Sequence, residues 1–275
     1  MVSLYWEGED PGKYATTFAG YRYHGNAATF LTIGFALVMG ILLQAHFEQR
    51  SRGTRTIAST GATLIVSALF LNTSRAGWGL TLVVMTLFAP RVISRLFEDE
   101  DSSVIDRAKK LVPAFLGLIM AMVAVVALFS AESTFRVGRL TMIAGSMANR
   151  FPLELFLQIL PDTPLAGFGP GTFSLVFPKY QLANPGMFPL NTYLNEAHQD
   201  YFQLFFDWGL AGFICWMAIL LIPVVGFVRH RFDGPDPQLT YACFTAMFAA
   251  LIHATMDFPL QVTSILFYVG ITLAC

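Results

Sequence analysis

Seven stretches of mostly apolar residues divide this 275-residue chain, and each is close to the length of a membrane-spanning helix. They cover residues 26–46, 56–72, 77–94, 111–131, 203–228, 239–256 and 259–275. A helix needs roughly 20 such residues to cross a bilayer, where every backbone polar group must be hydrogen-bonded within the protein. The pattern therefore predicts an all-α fold, a polytopic transmembrane helical bundle with about seven spans.

The composition disfavours the main soluble alternatives. Charged residues make up only 13% of the chain and hydrophobic residues 55%, whereas a soluble domain carries about 25% charged residues. The formal net charge of −1 leaves no basic excess for nucleic acid. The three cysteines, Cys215, Cys243 and Cys275, lie far apart in apolar runs and form neither a metal-binding nor a disulfide pattern.

Basic residues indicate how the chain crosses the membrane. Ten of the 17 Lys and Arg residues lie in three short turns. Short loops rich in basic residues are typically cytoplasmic, so we expect these turns in the cytoplasm. Residues 1–25 and the long loop at 132–200 are then external, with four spans in 26–131 and three in 201–275. Because the chain begins in a polar segment and stops inside an apolar run, we expect a truncated last span and further spans beyond both ends. The ten basic residues are Arg50, Arg52, Arg55, Arg91, Arg95, Arg107, Lys109, Lys110, Arg229 and Arg231.

The external loop of nearly 70 residues is too long and too regular for a simple connection. Between Arg136 and Leu160 its apolar residues recur every three to four positions, which predicts an amphipathic helix. Pro161, Pro164 and the Gly-Pro-Gly turn at 169–171 should end this helix. The loop is either a cap on the membrane surface or an active-site lid.

Three external arginines are candidate phosphate ligands. Arg75 lies in the turn between the second and third spans, and Arg136 and Arg139 follow the fourth span three residues apart. Guanidinium groups bind phosphate oxygens in a bidentate manner. The alternatives are anchoring to lipid headgroups and an ion pair between Arg136 and Glu132.

A second polar group lies where the fifth span begins. Asp200, Gln203 and Asp207 recur at i, i+3 and i+7, which places them on one helical face. A carboxylate inside a membrane helix is costly and is a functional candidate by default. His198 can exchange a proton near neutral pH, and Glu196 is a further acid beside it. The structural alternatives are helix capping by His198 and Asp200 and pairing of Asp207 with another span.

A histidine and an aspartate stand four residues apart near the external end of the sixth span. His253 and Asp257 either lock two helices together or support the same external site. No third ligand shares their spacing, so the sequence predicts no metal site. The glycines at 167, 169 and 171 lack the lysine and the strand–helix context of a nucleotide-binding loop. We expect them to let the loop backbone approach another segment closely.

Five short motifs, taken in order, resemble the O-antigen ligase and polysaccharide polymerase family. The longest is His198-Gln-Asp-Tyr201-Phe-Gln203 followed by Gly209-Leu-Ala-Gly212, where the family has a His-Asn-aromatic-Leu-Gln stretch before a helix with Gly-Leu-x-Gly. The other four are Asn72-Thr-Ser-Arg75-Ala-Gly77, Gly138-Arg139-Leu140, Pro164-Leu-Ala-Gly167-Phe-Gly169 and the segment from His253 to Phe258. The resemblance as a whole extends over most of residues 20–275.

The resemblance implies a glycosyltransferase of the bacterial inner membrane, multi-pass and with its large loop in the periplasm. Such an enzyme moves a glycan from an undecaprenyl-diphosphate carrier to an acceptor, which is a glycan, a lipid A core or a protein. It needs neither a nucleotide sugar nor a metal, so no cofactor is expected. Membrane lipids are its other partners. The sequence leaves open the sugar and the choice between ligase and polymerase.

The resemblance also implies roles for individual residues. Arg75 and Arg139, with Arg136 as a third candidate, would bind the diphosphate. His198 would activate the acceptor hydroxyl or stabilise the leaving group. The remaining polar residues are Glu196 and Asp200 as alternative bases, and Asp207, His253 and Asp257 as supporting groups.

Two other functional classes are compatible with the sequence. A transporter or lipid-carrier flippase would use Asp207, His253 and Asp257 for an ion path, although the sequence shows no inverted repeat of the kind common in transporters. A structural subunit of an assembly machine would use the long loop as a docking surface.

Overall fold

The computed structural model describes residues 21, 23–72, 74–97, 153–184, 194, 196–230 and 236–274. The elements in this part of the chain are helices, which confirms the predicted all-α fold. Two of them are 3-10 helices, Leu160–Asp162 and Pro259–Gln261. The α-helices are α1 (His24–Phe47), α2 (Arg52–Leu71), α3 (Arg75–Phe97), α4 (Leu153–Ile159), α5 (Phe173–Ala183), α6 (Asp200–His230), α7 (Pro237–His253) and α8 (Thr263–Ala274).

Six of the seven predicted spans coincide with a helix, and the remaining one, 111–131, lies outside the described residues. By length and composition, three helical segments in the described part of the chain could cross a membrane: His24–His46, Arg52–Leu71 and Asp200–Phe227. Two further apolar helices, Ala76–Val92 and Thr263–Thr272, are shorter. The total of seven spans stays a prediction.

Helix α1 is central to the described bundle, in contact with α2, α3, α7 and α8. It runs antiparallel to α7, because Gly40 packs against Ala242 and, eleven residues away along both helices, Thr29 contacts His253. A Cβ atom on Gly40 would lie 2.3 Å from the Ala242 Cβ, so the missing side chain is what permits this close approach. The pairing sets the end of α7 against the beginning of α1.

The turn between α2 and α3 lies at the same end of the bundle. Ser74 Oγ accepts a hydrogen bond from Gly77 N at 3.2 Å and so caps α3. Trp78 Nε1 donates to Leu69 O at 3.0 Å, which ties the two helices together across the turn. A Cβ atom on Gly77 would lie 2.7 Å from the Ala28 Cβ. The beginning of α3 is therefore packed against the first turns of α1.

Helix α6 consists of two helical parts that meet at Gly209, where φ is 64° and ψ is −172°. Beyond this break Leu220 is buried in the bundle, whereas other side chains face outward: Ile214, Ile219 and Ile222 are 58%, 55% and 70% exposed. A helix with this apolar outer surface is suited to lipid rather than to water.

The described part of the long loop, which the sequence predicts to be external, forms an aromatic core with the first turns of α6. Of the amphipathic helix predicted over Arg136–Leu160, α4 is the described portion, and the rest lies outside the described residues. The α-helix ends at Ile159, and Pro161 lies in the 3-10 helix that follows, as the proline predicts. Helix α6 therefore contributes both to this aromatic core and to the bundle. The buried core side chains include Leu155, Ile159, Phe173, Phe177, Phe202 and Phe206.

Candidate functional site

The beginnings of α1 and α6 and the end of α7 meet around His198. Its Nδ1 atom lies 3.2 Å from Asp257 Oδ1. The side chain of His198 is 28% exposed, whereas that of Asp257 is only 1% exposed. A reachable imidazole is thus held by a buried carboxylate, which is the arrangement that orients a histidine for proton transfer.

Two aromatic rings lie against the imidazole of His198. The rings of Tyr23 and Phe258 stack at a centroid distance of 5.3 Å, and the imidazole meets them edge-on at 5.6 Å and 4.9 Å. His198 has a φ of 53°, which is uncommon for a residue other than glycine and persists only where the surroundings impose it. Sequence reasoning missed Tyr23, because it precedes the first span in a segment without a recognisable pattern.

A second histidine lies behind Asp257. His253 Nε2 is 3.8 Å from Asp257 Oδ2, and His253 Nδ1 is hydrogen-bonded to Thr29 Oγ1 on α1. Gly25 leaves room for the carboxylate, since a Cβ atom there would lie 2.5 Å from Asp257 Oδ2. These contacts join α7 to α1 and also connect the His253–Asp257 pair to His198. Thr29 was missed by sequence reasoning.

Asp200 ties the beginning of α6 to the chain between α7 and α8. It is fully buried, and its Oδ2 accepts a hydrogen bond from Leu260 N at 2.7 Å. Its backbone N donates to the carbonyl oxygens of Ala254 and Asp257 at 2.9 Å and 3.2 Å. Asp200 therefore holds in place the segment that carries Asp257.

The cap of α6 is neither His198 nor Asp200. Gln199 Oε1 accepts a hydrogen bond from Phe202 N and so caps the first turn of α6. Gln203, which is almost completely buried, donates through Nε2 to Glu196 Oε2 and accepts through Oε1 from Ala197 N at 2.8 Å. The carboxylate of Glu196 is thus bound to the first turn of α6.

Asp207 binds the glycine-rich loop. Its Oδ2 accepts from Gly171 N at 3.2 Å, and its carbonyl oxygen accepts from Gly169 N at 2.9 Å. Gly167 has a φ of 76°, and a Cβ atom there would lie 2.4 Å from Gly209 N. The expected close approach of the loop backbone to another segment is confirmed, and the partner segment is the break in α6.

The three residues of the polar stripe on α6 are all buried, but they have different partners. Asp200 contacts the chain after α7, and Asp207 contacts the loop. An ion path would need a connected line through Asp207, His253 and Asp257. The hydrogen bonds and ion pairs described above link only the last two. Within the described ranges, no group of three or more His, Cys, Asp or Glu residues is placed to hold a metal ion.

The predicted diphosphate ligands are only partly described. The backbone of Arg75 begins α3, at the same end of the bundle as His198. Its side chain lies outside the described structure, as do Arg136 and Arg139. The acids near His198 are Glu196, Asp200 and Asp257, so cationic partners would complement this region electrostatically.

The family comparison covers the centre of the chain. A model of the O-antigen ligase family matches residues 60–217, which is more than half of the sequence. The match includes the Arg75 turn, the external loop, His198 and Asp207, and it stops before α7. Neither the curated proteins nor the solved structures provided a match. On the strength of the family match, this chain belongs to the O-antigen ligase family, whose ligase- or polymerase-type enzymes transfer glycans.

Proposed function

We propose that the protein transfers a glycan from an undecaprenyl-diphosphate-linked donor to an acceptor at the periplasmic face of the bacterial inner membrane. It would act as an O-antigen ligase or as a surface polysaccharide polymerase. The observation that carries this proposal is the contact between the partly exposed His198 and the buried Asp257, where three helix ends meet. The family match supports glycan transfer in general.

His198 acts as the base in this proposal. Asp257 accepts a hydrogen bond from Nδ1, so the lone pair that takes a proton is on Nε2. Nε2 removes the proton of the acceptor hydroxyl while that oxygen attacks the anomeric carbon of the donor sugar. A glycosidic C–O bond forms, the C–O bond to the diphosphate breaks, and the diphosphate leaves with the electron pair.

Arginines stabilise the leaving group in the proposed reaction. Negative charge grows on the diphosphate as its bond to the sugar breaks, and fixed guanidinium groups bind such charge strongly outside bulk water. Arg75 and Arg139 are the first candidates and Arg136 the third. The position of the Arg75 backbone at the His198 end of the bundle supports its candidacy.

Among the candidate bases, the contacts favour His198 over the two acids. Asp200 is fully buried and its carboxylate accepts from Leu260 N, so we propose that it positions Asp257. Glu196 is partly exposed, and its carboxylate is bound by Gln203. Glu196 therefore serves to order the segment before α6.

The large loop acts as a lid over this site in our proposal. The proposed topology has an external segment at 1–25, four spans in 26–131, the periplasmic loop at 132–200 and three spans in 201–275. Membrane lipids surround the spans. The contacts of Gly169 and Gly171 with Asp207 support a loop attached directly to the helix that follows the site. Asp207, His253 and Asp257 are supporting groups.

The test uses cells in which the intact gene is replaced by variants. We expect His198→Ala, Arg75→Ala and Arg139→Ala each to abolish glycan transfer at normal protein levels. His46→Ala and Arg52→Ala are matched controls, because both residues are exposed at the opposite end of α1 and α2. Undiminished transfer by His198→Ala would refute the site.

The glycan profile of cells lacking the gene separates the two activities. Single repeat units left on the lipid carrier indicate a polymerase. Long carrier-linked chains that never reach an acceptor indicate a ligase. Vesicles that move the lipid-linked glycan without forming glycosidic bonds would instead favour a transporter.

A further inference from the structure

Buried polar contacts continue from His198 to the interior of α1. Asp257 Oδ1 contacts His198, and Asp257 Oδ2 faces His253. His253 in turn contacts Thr29. The last three side chains are at most 1% exposed, so bulk water does not supply their hydrogen-bond partners.

In one arrangement of the hydrogens along these four residues, both histidines turn an N–H toward Asp257. An ionised carboxylate only accepts, so His198 Nδ1 donates to Oδ1, and a hydrogen on His253 Nε2 faces Oδ2 at 3.8 Å, an ion-pair rather than a hydrogen-bond distance. A neutral His253 then has its lone pair on Nδ1, and the Thr29 hydroxyl donates to it. The Thr29 hydroxyl can also donate to Gly25 O at 3.3 Å, so this arrangement requires its single hydrogen to point to His253 Nδ1 instead.

We propose that Thr29 is a positioning residue for the transfer reaction. Its hydroxyl holds the hydrogen of His253 on Nε2. That hydrogen attracts the Asp257 carboxylate across 3.8 Å, and Asp257 holds the hydrogen of His198 on Nδ1. Without the hydroxyl, the buried His253 ring can carry its hydrogen on Nδ1 and turn a lone pair toward the carboxylate. The proposal rests on the proposed role of His198 in glycan transfer.

Helix α1 offers a matched control one turn away. Thr32 is also fully buried, and its hydroxyl donates to Ala28 O at 2.8 Å within the same helix. Thr29→Val and Thr32→Val therefore remove the same group from the same kind of environment. Thr29→Ser keeps the hydroxyl that the proposal requires.

The experiment measures transfer kinetics in membrane vesicles that contain the full chain. The probe donor is the undecaprenyl-diphosphate-linked glycan extracted from the strain that lacks the gene, and the acceptor is the envelope fraction of that strain. We expect Thr29→Val to lower kcat by about tenfold with KM changed less than about twofold, because Thr29 acts through other residues and does not touch substrate. Thr29→Ser and Thr32→Val should stay within about twofold of the natural protein. The thermal midpoint of each purified variant reports on folding.

A second background keeps the test decisive if Thr29→Val is poorly folded. In His253→Gln the amide nitrogen can donate to Asp257 without help from Thr29, so adding Thr29→Val should cause no further loss of kcat. Any of three results would overturn the inference. They are equal kcat values for Thr29→Val and Thr32→Val, a change in Thr29→Val that is confined to KM, and a full further loss of kcat when Thr29→Val is added to His253→Gln. If His198→Ala is inactive while Thr29→Val is normal, only this inference fails. An active His198→Ala variant would overturn the proposed function itself.

Discussion

His198 and Thr29 differ in how much their local sequence reveals. A histidine next to acids at the start of an apolar span is unusual enough to be identified from the sequence alone. A threonine inside an apolar helix is ordinary, since its hydroxyl can bond to the preceding turn, as that of Thr32 does. The contact between Thr29 and His253 joins residues 224 positions apart. Only helix packing brings these two side chains together.

Replacement of Asp257 by asparagine should lower the rate of glycan transfer by about 100-fold or more. The amide keeps the size of the side chain, but it can turn an N–H toward His198 Nδ1 and so select the wrong tautomer. The measurement is kcat in membrane vesicles that contain the variant. Asp236→Asn is the control, because Asp236 is exposed at the beginning of α7, away from the site. A rate for Asp257→Asn equal to that of the control would contradict the proposed pair.

Helix α6 and the external loop depend on each other through backbone contacts. Phe168 N donates to Phe206 O at 3.0 Å, and Gly169 N donates to Asp207 O at 2.9 Å. These bonds place the loop beside the break at Gly209. The glycines were recognisable in the sequence, and so was their use for a close approach, but their partner on α6 was not.

Replacement of Gly209 by alanine should detach the loop from α6. A Cβ atom there would lie 2.2 Å from Leu165 O, and the φ of 64° is itself strained for alanine. We expect the variant to lose about 3 kcal/mol or more of unfolding free energy. Limited proteolysis should then cut the 164–172 segment at a protease concentration that spares the natural protein.

Gly226→Ala is the matched control on the same helix. Its Cβ atom would meet nothing within 4 Å, so the change should alter the unfolding free energy by no more than about 1 kcal/mol. If the two variants resist the protease equally, the loop does not depend on Gly209.

Acidification should loosen the connection between α5 and the 3-10 helix that follows α4. Tyr180 and Lys179 donate to Asp162 Oδ2 at 2.9 Å and 3.3 Å, and these hydrogen bonds lower the pKa of Asp162. Burial, followed by the bond to Asp162, raises the pKa of Tyr180 to about 12. A carboxyl group whose pKa is lower in the folded than in the unfolded protein stabilises the fold at pH values above its unfolded pKa. That stabilisation is lost as the pH falls through the folded pKa.

Hydrogen exchange of α5 peptides at about pH 5 and about pH 3 measures this effect. We expect protection to fall over this interval in the natural protein, with a much smaller fall in Asp162→Asn, which has no carboxylate to protonate. Peptides from α1 provide the internal reference. The same fall in both proteins would show that Asp162 is not responsible.

In the described bundle, the helix ends that the sequence predicts to be external lie together. The beginnings of α1, α3 and α6 and the end of α7 are in mutual contact or share neighbours. The alternation of spans inferred from basic turns requires the same grouping. The two patterns agree on which helix ends share a side, and the basic turns alone predict that this side is external.

Cysteine labelling tests this orientation. In a background where Cys215, Cys243 and Cys275 are replaced by alanine, Thr255→Cys should react with a membrane-impermeant maleimide in intact spheroplasts. Ser51→Cys should react only after the membrane is opened. Both positions are exposed, at opposite ends of the bundle. Labelling of Ser51→Cys in sealed spheroplasts would reverse the topology.

The sequence by itself determined the all-α class, the membrane setting and the family, and it predicted the region around His198 as the site. These conclusions depend on apolar stretches and short motifs, whose signals are local in the chain. Only the tertiary structure decided that Asp257 contacts His198, that Thr29 contacts His253, and that Asp207 binds the glycine-rich loop. Those contacts join distant parts of the chain. They depend on how helices dock, and small residues such as Gly25, Gly40 and Gly209 control that docking by allowing close approach.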